Sequence, residues 1–242
     1  MLDTVSRDVT AGGNSPAVFA GDKVKSAIAI LGSNPQTVMA APFHDQNWDI
    51  WACSPDNTLH GHSENRRQLP RFDAWFECHA PLEDPSRPFA YLKTVSEMPC
   101  VWLRDRRAFE SGVFKSAQLY PEADLKGTSQ FQKIKGKDAS GRKIEQIVEI
   151  PNNDGLFCPY QFTSSIAYML AKAIADLETG KASGVLTGEG TIGIWGVMQA
   201  SENEYVYQRP GIQYFLWEAK RRGIKVVANR ESCLFDMPQW KW

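Results

Sequence analysis

The chain has 242 residues, enough for one large core or for a domain carrying an inserted lobe. Apolar and charged fractions of 43% and 23% match ordinary globular composition, and a net charge of −1 gives no whole-molecule field for nucleic acid or anionic lipid. No apolar run approaches the roughly 20 residues that cross a bilayer, so no membrane association is expected.

The first residues, Met1–Asp8, carry no apolar signal-peptide core. Five cysteines (Cys53, Cys78, Cys100, Cys158 and Cys233) are scattered and odd in number. Reduced thiols in a cytoplasmic protein account for them most simply.

Residues 1–22 contain Gly12-Gly13-Asn14-Ser15-Pro16 without periodicity and read as a flexible arm. The run Ser26–Leu31 is a short buried strand, followed at once by Gly32-Ser33-Asn34-Pro35. Gly32 permits a tight turn, Ser33 and Asn34 offer hydrogen bonds, and Pro35 is pre-set for a first helical turn. A second strand is expected at Trp48–Cys53, ended by Ser54-Pro55-Asp56-Asn57, and a third at Phe72–Cys78. Residues 87–97 read as a short helix and Cys100–Leu103 as a fourth strand. Short apolar strands alternating with helical or loop segments indicate a parallel sheet.

The middle of the chain differs. Phe131–Lys137 and Arg142–Ile150 flank Asp138–Gly141, a hairpin signal within an insertion over 122–150. Lys126, Lys133, Lys135, Lys137, Arg142 and Lys143 make this hairpin basic. It reads first as a solvated charged ribbon, and second as a grip on a polyanion such as nucleic acid or on a protein, although the net charge does not support nucleic acid.

The clearest helix runs over Phe162–Leu177. Phe162, Ile166, Met169, Leu170, Ala173, Ile174 and Leu177 form one stripe, and Thr163 is the expected N-cap. A strand over Thr191–Val197 follows. Pro210 is expected to open the last main helix, with Ile212, Phe215, Leu216 and Ala219 facing inward before Gly223 stops it. Ile224–Ala228 completes a strand. The tail over 236–242 ends in Trp240 and Trp242 and is expected to dock on its own domain or on a protein partner. The sum is a Rossmann-like, doubly wound, mostly parallel α/β domain over 23–235 with an antiparallel basic hairpin insertion.

In such sheets ligands bind beyond the carboxyl ends of the strands. That rule gathers Gly32, Ser33, Asn34 and Ser54 with Thr163, Ser164, Tyr205 and Arg209 into one candidate pocket. Hydroxyls, amides and helix N-termini suit a base, ribose and phosphate, so a small-molecule nucleotide or nucleotide-sugar is the expected ligand. Glu204 is the candidate general base.

No metal site is expected: His60-Gly61-His62 and Cys78-His79 lack the four placed ligands of zinc, and no Cys-x-x-Cys pair occurs. A Cys–His nucleophile would have to combine Cys53 or Cys78 with His44 or His79. Buried cysteine is the better default.

The order strand-Gly-Ser-Asn-Pro, Phe162-Thr-Ser-Ser-Ile-Ala-Tyr, Ile192-Gly-Ile-Trp-Gly-Val197 and Glu204-Tyr205 before a helix resembles two groups of enzymes. These are the bacterial sialyltransferases that use CMP-sialic acid and the 6-hydroxymethylpterin diphosphokinase-like Rossmann domains. It is also similar to Rossmann-like proteins common in bacteriophage and prophage genomes. The sialyltransferase resemblance implies nucleotide contacts at Gly32, Ser33, Asn34, Thr163 and Ser164, with Glu204 where those enzymes carry a catalytic histidine.

Pro35 replaces a second glycine of the first motif. The late strand ends in Val197-Met198-Gln199, without the acidic residues that the diphosphokinase-like group often carries there. Three functions follow from the resemblance. They are a phage or prophage nucleotide- or nucleotide-sugar-binding protein acting as a glycosyltransferase-like transferase, a non-catalytic virion or interaction protein, and an anti-defence protein that sequesters or cleaves nucleotides.

Overall fold

Apolar runs that alternate between two covered faces build the centre of the molecule. In the computed structural model, residues 25–32, 34–53, 69–79, 95–98, 100–137, 139–186, 188–197, 205–229 and 234 are described. The arm over 1–22, the tail over 236–242 and most of the helix expected over 87–97 lie outside the described residues. Strands β1 (Ala27–Leu31), β2 (Trp48–Cys53), β3 (Ala74–Glu77), β4 (Val101–Leu103), β5 (Ala117–Leu119), β8 (Thr191–Trp195) and β9 (Lys225–Ala228) form one sheet. Its order is β5-β4-β3-β2-β1-β8-β9, and every pairing is parallel. A separate two-stranded antiparallel ribbon joins β6 (Ser129–Lys137) to β7 (Lys143–Pro151).

The strands are apolar almost throughout because both faces of the sheet are covered. On one face Ile28, Ile30, Trp51 and Phe76 pack beneath the helices α4 (Ser165–Ala182) and α5 (Tyr205–Arg221). On the other, Ala29, Leu31, Ile50 and Trp75 pack with Val38 of α1 (Pro35–Val38), Phe43 and Ala108 of α2 (Arg106–Glu110). The short helix α3 (Glu122–Lys126) buries Leu125 in the first core.

Strands are added in one direction from β1 to β5 and in the other from β1 to β9. Crossovers of one hand then place the helices of the two halves on opposite faces, which is the doubly wound, Rossmann-like arrangement. The direction changes between β1 and β8.

Small residues at that seam let large ones close over it. A Cβ on Gly193 would meet the rings of Trp195 and Trp48, which pack edge to face with centroids 5.3 Å apart. At the strand tips, Gly32 N–H donates to Trp195 O at 2.8 Å and Asn34 N–H to Gly196 O at 2.8 Å. A Cβ on Gly32 would lie 2.5 Å from Gly196 O, and one on Gly196, at φ +70°, would lie 2.7 Å from Gly32 O.

Two helix starts differ from the sequence expectation. Ser164, not Thr163, caps α4: its backbone is extended and its hydroxyl accepts from Ala167 N–H at 3.2 Å. Thr163 is drawn away because its Oγ1 donates to Gln208 O at 3.0 Å. Helix α5 begins at Tyr205 rather than at Pro210, which sits inside it. Proline removes one intrahelical donor there. The next residue, Gly211, lets the helix lie on the chain before α4, since a Cβ would be 2.3 Å from Gln161 O. The expected inward residues Ile212, Phe215, Leu216 and Ala219 are all buried.

Gly196→Ala is expected to cost about 2–4 kcal/mol, combining left-handed backbone strain with a clash against the β1 tip. The same change at Gly223, whose φ is +72° but whose surroundings are open, should cost only about 1 kcal/mol. Urea denaturation of the two variants checks this, and equal losses would sink the account of the seam.

Candidate functional site

The carboxyl edge of the sheet holds two groups of residues, one on each face. The first is the seam itself. After β1 the chain turns through Gly32 into α1, where Asn34 acts as the cap. Its Oδ1 accepts from Thr37 N–H at 3.3 Å and faces Thr37 Oγ1 at 3.5 Å. Thr37 is 2% exposed. The polar atoms of Asn34 therefore hold the turn together, and α1, with four residues, presents only one helical turn.

The second group lies over β3, β4 and β5, at the amino end of α4. Glu122 is its centre: Oε2 accepts from Arg104 Nε at 3.1 Å, Oε1 from the Tyr168 hydroxyl at 3.3 Å, and Lys126 Nζ stands 3.5 Å away. The Arg104 guanidinium lies over the Tyr168 ring, 4.8 Å from its centroid. Tyr120 donates to Tyr168 O at 2.7 Å, and the two rings meet edge to face. Burial holds both phenols above their ordinary pKa, so they stay protonated donors.

Arg104 remains 39% exposed. The group thus presents one oriented guanidinium at the edge, its direction set by Glu122 and by the aromatic face beneath it, the arrangement that recognises phosphate or carboxylate oxygens.

Glu77 closes β3 and is 2% exposed; its Oε1 accepts from His79 N–H at 3.3 Å. Beside it, Cys78 is buried and hydrogen-bonded to Ser165, and burial together with the negative charge of Glu77 pushes its thiol up to about 12. Burial raises the Cys53 thiol further. Both stay protonated at neutral pH and pack as small apolar groups. His44 and His79 are exposed.

The expected pocket residues that are described divide between the two faces of the sheet. Gly32 and Asn34 lead to α1 on one face of the sheet, while Ser164 caps α4 on the other. Thr163 and Arg209 lie where α5 crosses the start of α4, with the Thr163 hydroxyl committed to Gln208 O. Tyr205 is the first residue of α5. Ser33, Ser54 and Glu204 lie outside the described residues, as do His60 and His62. Among the described residues no group of three or more His, Cys, Asp or Glu side chains could hold a metal ion, and no helix is long and apolar enough to cross a membrane.

Arg104, Tyr120 and Glu122 carry no local motif, and Tyr168, the last residue of the Phe162–Tyr168 motif, is not among the candidate site residues read from the sequence. One signal was available. Arg104 and Tyr120 are the residues directly after β4 and β5, and Glu77 is a lone carboxylate ending an apolar strand. The rule that ligands meet the carboxyl ends of strands points to those positions.

The fold is thus a doubly wound, Rossmann-like α/β sheet whose direction changes between two glycine-tipped strands. Comparison of the chain with protein-family models, curated proteins and solved structures gives no match.

Alkylation by iodoacetamide at pH 8 should modify Cys100 and Cys158, which are part-exposed, well before Cys53 and Cys78. Peptide mass spectrometry of native and urea-treated protein reads the order. Rapid labelling of Cys78 in the native state would contradict the buried, protonated thiol.

Proposed function

We propose that the chain is a nucleotide- or nucleotide-sugar-binding protein of the bacteriophage Rossmann-like kind, with its ligand at the carboxyl edge of the sheet. The observation that supports this is the change of winding direction between β1 and β8, the position at which open α/β sheets receive ligands. Glycine at both tips leaves backbone rather than side chains at the seam. Arg104 supplies a guanidinium for an anionic group on the β3–β5 side of the same edge.

A transferase step is the finer form of this reading and rests on Glu204 as the base for an acceptor hydroxyl. A second reading, a non-catalytic interaction protein that keeps the fold, draws support from the hydrogen bonds that commit Asn34, Thr163 and Ser164 to turns and caps.

Thermal unfolding of the full chain with CMP, UDP, GDP and their sugar conjugates separates the two. A ligand at ~100 times its dissociation constant stabilises by about 2.7 kcal/mol, a clear rise in melting temperature. The binding reading expects such a rise with at least one nucleotide, reduced in Arg104→Ala. It further expects Glu204→Gln to bind as tightly but to lose turnover. A flat response across the panel would move the assignment to the interaction protein.

A further inference from the structure

The ribbon of β6 and β7 sorts its side chains by face, and a net charge of −1 for the whole chain averages that sorting away. Residues paired across an antiparallel ladder share a face. One face carries Gln130–Ile150, Gln132–Val148, Ile134–Gln146 and Gly136–Ile144, with no charged residue, and its Val148 and Ile150 are part-buried. The other carries Phe131–Glu149, Lys133–Ile147, Lys135–Glu145 and Lys137–Lys143, and so holds all the charge of the paired strands.

That charge is polarised along the ribbon. At the base, Glu149 stands 3.9 Å from Lys126. Lys135 faces Glu145 in the ladder, but that carboxylate closes on Lys133. Both carboxylates of the face are thus engaged, and among the described residues no ion pair holds Lys135, Lys137 or Lys143. Lys137 and Lys143 oppose each other in register, and like charges directly opposite destabilise a ladder. An anion between them removes that cost. Arg142, in the turn, donates to Ser140 Oγ at 3.1 Å.

The charged face also exposes the largest apolar groups of the ribbon. Phe131 is 73% exposed and Ile147 69%, against 45% and 44% for Ile134 and Ile144 of the neutral face. Phe131 and Ile147 are diagonal neighbours across the ladder, with Lys133 beside both. Every described residue from Phe131 to Ile147 is exposed, so the face is open from this platform to the cationic end.

We propose that this face binds single-stranded nucleic acid, a base stacking on Phe131 while phosphates meet Lys135, Lys137 and Lys143. Side chains on one face of a strand recur every ~7 Å, so Phe131 to Lys137 spans ~20 Å, room for a few nucleotides of one strand. An exposed ring followed by lysines supplies the two things an unpaired strand needs, a surface for the base and charge for the backbone. In a duplex the bases already stack on each other, which leaves Phe131 nothing to cover. A polyanion without rings would likewise use the lysines and leave the platform in water. The proposal does not rest on the nucleotide reading of the sheet edge, which uses no residue of the ribbon.

Fluorescence anisotropy of an end-labelled oligothymidine of ~20 nucleotides, titrated with the full chain, tests this. Binding should weaken with added salt at a log–log slope of about −2, as expected for three phosphates of a single strand. Phe131→Ala should bind about tenfold more weakly with that slope unchanged, and Phe131→Trp, which keeps a ring, should retain affinity. Lys137→Gln should bind more weakly and reduce the slope by about 0.7. Both positions are exposed, so thermal melts of these variants should match the wild type. A wild type that leaves oligothymidine unbound at low salt would overturn the proposal, as would binding that neither Phe131→Ala nor Lys137→Gln weakens. A hairpin duplex bound as tightly as oligothymidine, with Phe131→Ala harmless to both, would overturn it too.

Discussion

The constraint on which the rest of this molecule depends is the contact of backbone with backbone at the tips of β1 and β8. Two loops that leave the sheet toward opposite faces are joined there by the hydrogen bonds of Gly32 and Asn34 to Trp195 and Gly196. Neither glycine has room for a side chain. The contact therefore fixes the separation of the two halves of the sheet, and through it the width of any crevice at the carboxyl edge. It also satisfies the amides of Gly32 and Asn34 at the β1 tip.

Away from the seam, the polar groups of the sheet are sorted by edge. At the amino edge, the Asp73 carboxylate accepts from Ile50 N–H at 2.8 Å and from Arg71 and Lys25, standing in for ladder bonds that β3 does not reach. Burial holds the neighbouring Asp49 carboxyl above its ordinary pKa, opposed by its bond from the Trp51 indole. Between the edges, one buried ammonium interrupts the apolar layer. Lys172 of α4 bonds both oxygens of Asp176 at 2.7 Å and sits 4.1 Å from the Trp102 ring. Pairing and the aromatic face make that charge tolerable beneath a helix that is otherwise buried on nearly every side. At the carboxyl edge, Glu122 plays the organising part, with cations and a phenol around it.

Strands β1, β2 and β8 and helix α4 were legible in the sequence because each is a long apolar segment whose pattern has only one good reading. The ribbon was legible for the opposite reason, a polar alternation around a turn. Strand β5 was not foreseen: Ala117-Gln118-Leu119 is three residues at the sheet edge with no apolar run to announce it. The capping residue of α4 was misplaced by one, since Thr163 and Ser164 are equally good caps and a contact to Gln208, 45 residues away, decides between them. The Glu122 group was invisible for a related reason. Its members come from three separate segments, Arg104 just past β4, Tyr120 and Glu122 where β5 leads into α3, and Tyr168 in the first turn of α4, so no single spacing along the chain records their meeting.

The base of the ribbon brings its two ends together. Gly127 and Gly155 cross so closely that a Cβ on Gly155 would fall 2.2 Å from Gly127 N. Thr128 and Asn152 are bonded to each other, and Asp154 accepts from both the amide and the hydroxyl of Thr128, which holds its carboxyl below the ordinary range. The chain thus leaves the domain and returns to it at one point. Everything distal to that clasp can lengthen, shorten or be exchanged without moving a strand of the main sheet. Mechanically, the ribbon is an appendage hung from one clasp, and its length does not enter the packing of the main sheet.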